Sequence, residues 1–144
     1  VIAVDTNLLI YALREESVWH ASAHHALTGL AEAPGAWAIP APCIHEFLAV
    51  ATHPRIFYPP TPLNISLDFV GTLLKSPSVE VLSEGPDYWA LLNSLLRKAK
   101  VTGPKVHDAR IAAFCLHHRV SELWTADRDF GRFPELATRN PLVA

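Results

Sequence analysis

The chain is 144 residues long and half hydrophobic, with 12 Lys and Arg against 14 Asp and Glu for a net charge of −2. That composition predicts one domain over 1–144 with a core of its own, and it excludes both a disordered tail and a uniformly basic nucleic-acid binder. No apolar run approaches the roughly 20 residues a membrane-spanning helix needs, and the start lacks the basic-then-apolar pattern of a secretory signal, so the expected compartment is the cytoplasm.

Val1-Ile2-Ala3-Val4 is a short apolar run without polar alternation, the pattern of a strand covered on both faces in a parallel sheet. It ends on Asp5-Thr6-Asn7, and a second apolar run, Leu8-Leu9-Ile10, follows. Ligands of open parallel sheets sit at the carboxyl ends of the strands, which places Asp5 at a working edge. Asp is also a good helix cap, so the same residue can start the helix expected from near Asn7. Trp19, Ala23, Ala26, Leu27 and Leu30 recur at helical spacing and predict an amphipathic helix over about 18–32, stopped by Pro34-Gly35. His20 and His24 lie on it at a spacing that can share a metal. No HExxH pattern and no third ligand accompany them, and they read as a solvated or packed face. Trp37-Ala38-Ile39 is a second strand, closed by Pro40.

Pro42 suits the first turn of a helix whose stripe is Cys43, Phe47, Val50 and Ala51, running to about Thr52. Glu46 falls inside that stripe. An unpaired buried carboxylate is costly, so Glu46 either meets a cation of the protein or faces a bound metal. Between His53 and Asn64, prolines 54, 59, 60 and 62 surround Ile56, Phe57 and Tyr58. This is a stiff loop whose aromatics serve as lids on the core or as an exposed partner surface. Leu67, Val70, Leu73 and Leu74 predict a helix ended by Ser76-Pro77, and Val79–Leu82 alternates as a strand. Pro86 opens a helix with a wide apolar face of Tyr88, Leu91, Leu92, Leu95, Leu96 and Ala99. After a Gly103-Pro104 loop, Ala109, Ala112, Ala113 and Leu116 mark a helix from Val106 to about His118, with Asp108 at its start. Glu122–Thr125 is a strand followed directly by Ala126-Asp127-Arg128-Asp129-Phe130, and a last short strand lies around 137–139. Strands alternate with helices throughout, so the class is α/β with a mostly parallel sheet.

Charge is unevenly spread. Residues 1–96 carry three Lys/Arg against nine Asp/Glu, and residues 97–144 carry nine against five. Arg97, Lys98, Lys100, Lys105 and Arg110 lie together beside Asp108, either as a footprint for a phosphate backbone or as a solvated helix end favoured by the dipole. Cys43 and Cys115 match no CxxC or zinc spacing and read as small buried hydrophobes in reduced form, with a disulfide left open. No methionine occurs, so the initiator is expected to have been removed or to lie outside this sequence.

Four carboxylates therefore stand out by position: Asp5 and Asp127 after strands, Asp108 opening a helix, and Glu46 in a largely apolar helix. Acids that converge raise one another's pKa unless something positive neutralises them, and a hard divalent cation with oxygen ligands does so. The order Asp5-Thr6-Asn7, a lone Glu46, His107-Asp108-Ala109-Arg110-Ile111-Ala112-Ala113, then Thr125-Ala126-Asp127-Arg128-Asp129-Phe130 resembles the PIN-domain ribonucleases, and above all the VapC-like toxins of bacterial toxin-antitoxin pairs. The resemblance spans essentially the whole chain. It implies a PIN-like three-layer α/β/α domain with the acidic site at the strand carboxyl ends. It also implies an endoribonuclease that hydrolyses RNA with water activated by Mg²⁺, or by Mn²⁺ as substitute.

By the same resemblance, Asp5, Glu46, Asp108 and Asp127 form the catalytic quartet, with Asp5 and Asp108 as metal ligands and Thr6, Asn7 and Thr125 orienting them. Asp129 either points with Asp127 or caps the following turn, and His107 reads as structural. Arg110 and Lys105 are candidates for holding the RNA backbone. Such toxins dimerise and are held inactive by a VapB-like antitoxin, which implies a homodimer and an antitoxin surface for which the 56–58 loop and Trp19 are candidates. Two other readings compete. A haloacid-dehalogenase-like phosphohydrolase requires a second acid two residues after the first, where this chain has Asn7. A non-catalytic PIN-type binding module usually lacks one of the acids, and here all four are present.

Overall fold

The structure, a computed structural model, describes residues 1–143. Its strands are β1 (Ile2–Val4), β2 (Trp37–Pro40), β3 (Val79–Leu82), β4 (Glu122–Trp124) and β5 (Thr138–Arg139). Its α-helices are α1 (Thr6–Leu13), α2 (His20–Glu32), α3 (Ala41–Ala51), α4 (Leu63–Leu74), α5 (Tyr88–Ala99) and α6 (Val106–His117), with 3-10 turns at Gly103–Lys105 and Arg128–Arg132. All pairings are parallel, in the order β3-β2-β1-β4-β5. Parallel strands need crossovers, and the helices supply them.

The registers pair Ala3 with Ala38 on one side of β1 and with Leu123 on the other. β1 is thus the central strand, and Ala3, Val4, Trp37, Ala38, Ile39 and Leu123 are almost wholly excluded from water. Because crossovers are right-handed, the run β1-β2-β3 places α1 to α4 on one face, and the return to β4 places α5 and α6 on the other. The packing agrees: α1 meets α2 and α3, α3 meets α4, and α5 meets α6. Phe47 from one layer and Phe114 and Phe130 from the other fill the core on either side of the sheet.

The strand order reverses between β1 and β4, and the crevice outside their carboxyl ends is the topological switch point of such a sheet. Asp5 directly follows β1 and Thr125 directly follows β4, so both stand at that crevice. Trp19 precedes α2 and is 38% exposed, because the apolar stripe of that helix is carried by Ala23, Leu27 and Leu30 alone. Val81 is also open to solvent, since β3 is an edge strand and the alternation expected there fails. Cys43 and Cys115 are free thiols, both buried, as read from sequence. Among the described residues no helix is long and apolar enough to cross a membrane.

Candidate active site

Asp5 is 5% exposed, caps α1 and stands at the carboxyl end of β1. As the cap of α1 it accepts a hydrogen bond from the Thr6 amide at 2.7 Å through Oδ1, which satisfies one of the donors a helix start leaves free. Its Oδ2 accepts from the Thr125 hydroxyl at 2.7 Å and from the Asn7 amide at 3.2 Å. Burial still dominates and pushes the carboxyl from its ordinary 3.8 up to about 6, with the charge of Glu46 adding to the rise and the Thr125 and Thr6 hydrogen bonds opposing it.

Thr125 joins the two strand ends. Its hydroxyl donates to Asp5 and accepts from the Asp127 amide at 3.0 Å, while Asn7 receives the Ala126 amide on Oδ1 at 3.2 Å. Thr6 reaches the other way and donates from Oγ1 to Glu46 at 3.0 Å. Here the structure corrects the sequence reading of Glu46. The buried stripe of α3 is Cys43, Phe47 and Ala51, and Glu46 is rotated out of it to face an open cleft, with a neutral hydroxyl as its protein partner.

Asp108 lies in the first turn of α6, where the helix dipole favours an acid. Partial burial nevertheless raises its pKa, and the neighbouring charges of Asp127 and Glu46 add to the rise against the lowering effect of Lys105. Asp5, Thr6, Asn7, Glu46, Asp108 and Asp127 line one cavity of about 270 Å³. Glu46, Asp108 and Asp127 also line an adjoining groove of about 540 Å³, walled by His45, Lys105, His107 and Arg110. The four predicted acids thus meet in one cleft, delivered by β1, α3, α6 and β4.

Asp129 joins this cluster by a route not foreseen. The segment after β4 is a 3-10 turn rather than extended chain, capped by Asp127, whose Oδ1 accepts the Asp129 amide at 2.8 Å. The turn brings carboxylate oxygens of Asp108, Asp127 and Asp129 within 4.8 Å of one another. Lys105 closes the group by pairing with Asp129 and lying 3.7 Å from Asp108. Three of the other basic candidates are engaged elsewhere: Arg110 with Glu84 at 3.3 Å, Lys98 with Glu135 at 3.4 Å, and Arg97 with Asn93. His20 is tied to the Tyr11 carbonyl at 3.0 Å, a packed residue rather than a ligand.

One contact at the site escaped the sequence reading. The Cys43 thiol lies 3.5 Å from Asp5 Oδ1 as a weak donor, and burial, then the adjacent Asp5, raises its pKa. The signal was its position one helical turn before Glu46, which puts both on adjoining parts of the α3 face. The side chains whose ligand atoms converge in the cleft, Asp108, Asp127 and Asp129, are all carboxylates. A hard divalent cation fits them, since such ions take carboxylates directly and keep open positions for water and phosphate.

This fold and this cluster define a family: residues 2–136 match the PIN domain, and the chain belongs to it. Among curated relatives, it is 32% identical to the VapC ribonuclease Mb2897 of Mycobacterium bovis over 141 residues, 98% of this chain and 95% of that one. Among solved structures, it resembles VapBC2 of Rickettsia felis bound to a DNA fragment from its promoter, with a TM-score of 0.69 at 19% identity over 96% and 97% of the two chains. It also resembles a toxin-antitoxin complex from Klebsiella pneumoniae, with a TM-score of 0.66 at 22% identity over 98% of each chain.

Proposed function

We propose that this chain is a VapC-like toxin, a metal-dependent endoribonuclease that hydrolyses phosphodiester bonds in RNA. The observation that carries the reading is the meeting of Asp5, Glu46, Asp108 and Asp127 in one cleft at the switch point of a PIN domain whose relatives are ribonucleases. Asp5 and Asp108 would hold Mg²⁺, or Mn²⁺ in its place, and Glu46 and Asp127 complete the quartet. When bound, the ion supplies a water of lowered pKa and positive charge for the phosphate oxygens.

The protein's own residues prepare the site. Thr6, Asn7 and Thr125 fix the plane of the Asp5 carboxylate, Thr6 holds one oxygen of Glu46, and Thr125 ties Asp127 to Asp5. Attack by water rather than by a ribose hydroxyl leaves a 5′-phosphate and a 3′-hydroxyl. Arg110 lines the groove beside the acids and would meet the backbone of a bound strand by exchanging its pairing with Glu84 for a phosphate.

The toxin reading brings a cytoplasmic protein, a homodimer and a VapB-like antitoxin as partners. Tyr58, 95% exposed, and Ile56, 52% exposed, offer apolar surface for such contacts, whereas Phe57 lies under the Arg14 guanidinium at 4.2 Å and belongs to the fold. A phosphohydrolase of the haloacid dehalogenase kind is disfavoured, because the residue two after Asp5 is an amide that donates to it. A binding-only module is disfavoured by the complete set of acids. Asp108→Asn keeps the shape of the side chain and should abolish RNA cleavage while circular dichroism and melting stay close to the parent. Full cleavage by a folded Asp108→Asn protein contradicts the assignment.

A further inference from the structure

We propose that Lys105 is a built-in counter-ion of the acid cluster, whose ammonium group must give way when a divalent cation binds and which therefore sets the affinity for that cation. The inference rests on the metal-dependent reading of the site. Lys105 bonds Asp129 and lies 3.7 Å from Asp108, in the place where oxygens of Asp108, Asp127 and Asp129 come within 4.8 Å of one another. Among the described residues, Lys105 is the cation that forms ion pairs with the acids of this cluster. Such a group of like charges is unfavourable without a positive partner, and in this structure the partner is an ammonium.

The backbone presents that ammonium deliberately. Lys105 ends a 3-10 turn that begins at Gly103, with φ of +64° in the left-handed region, and continues through Pro104. The turn fixes the Cα, while the side chain, 40% exposed, lies along the wall of the larger groove and has an open path into it. Lysine suits a yielding role, since its charge sits at the end of a flexible stem and lacks the planar fork that locks arginine onto a carboxylate. An ion bound at the cluster would share its carboxylates and repel the ammonium, so Lys105 is displaced toward the groove.

A purely structural role predicts something different. If Lys105 only clips the 3-10 turn at 128–132 to the start of α6, then losing it loosens the acids and weakens metal binding. Competition predicts the reverse. The test is Mn²⁺ titration of the full chain, with free ion read by electron paramagnetic resonance, for the parent, Lys105→Met and Lys105→Arg. Lys105→Met should bind Mn²⁺ roughly tenfold more tightly, the scale expected for removing one nearby like charge, and Lys105→Arg, which keeps the charge on a fork that locks onto carboxylates, should bind no more tightly than the parent. Lys105→Gln serves the same comparison if the methionine variant does not fold. Equal or weaker Mn²⁺ binding by a folded, uncharged variant overturns the inference and leaves the metal reading standing. Absence of Mn²⁺ binding by both parent and variant overturns the two together.

Discussion

Asp5 accepts three hydrogen bonds from N–H and O–H donors and a weak one from the Cys43 thiol, and still keeps its proton to about pH 6, because burial outweighs them. The sign of the resulting pH dependence follows by linkage. The unfolded chain gives up this proton near 3.8 and the folded chain only near 6, so between those values the folded state binds more protons. The contribution of Asp5 is therefore fully present below about pH 4 and is lost as pH rises through 6. The loss is on the order of 2–3 kcal/mol. In chelator, the parent should lose more stability between pH 4 and 7 than Asp5→Asn, measured by urea denaturation. Identical pH slopes in the two proteins contradict a buried, proton-holding Asp5. A divalent ion removes the penalty by favouring the ionised form, so added Mn²⁺ should stabilise the parent most at neutral pH and the variant little.

At the level of elements, apolar periodicity carried most of the information. The helices read from the stripes beginning at Trp19, Cys43 and Tyr88 are those of the structure, and the residues that each buries are Ala23, Leu27 and Leu30 on α2 facing α1, Cys43, Phe47 and Ala51 on α3 facing α1 and β2, and Leu92 and Leu95 on α5 facing α6. What periodicity missed had local causes. Glu46 adjoins Phe47 in sequence, but one residue turns an α-helix by 100°, enough to carry it from the buried stripe to the cleft. Asp129 was ambiguous because a two-residue spacing says nothing until the backbone between is known, and Asp127 capping a 3-10 turn decides it. Cys43 looked like filler, since its contact with Asp5 spans 38 residues.

The loop before α5 carries another contact invisible in sequence. A Cβ on Gly85 would stand 1.9 Å from His117 Nε2, so the α6 histidine ring occupies the space that glycine leaves. Gly85→Ala must turn that half-buried ring aside and should cost about 1 kcal/mol. Adding His117→Ala should recover most of the loss. A double-mutant cycle by urea denaturation checks this, and additive losses contradict the contact.

For the whole molecule, the strand order β3-β2-β1-β4-β5 turns a scattered set of acids into a site. Asp5 and Asp127 are far apart in the chain, yet β1 and β4 are neighbours, and the crevice at their carboxyl ends has to receive both. Sequence could place each acid at an element end but could not order the strands; the resemblance to PIN-domain ribonucleases implied only that the acids share the strand carboxyl ends, and the parallel pairing of Val4 with Trp124 is what brings Asp5 and Asp127 together. The same topology sets α3 and α6 on opposite faces, so that Glu46 and Asp108 approach the crevice from either side of the sheet.

The most direct test is to incubate the purified protein with a pool of structured RNAs in Mg²⁺, Mn²⁺ or chelator, beside the Asp5→Asn variant, and to map the fragment ends. The account predicts discrete fragments with 5′-phosphates that require the ion and vanish in the variant. Fragments that persist in chelator, or that Asp5→Asn produces as well as the parent, would contradict it.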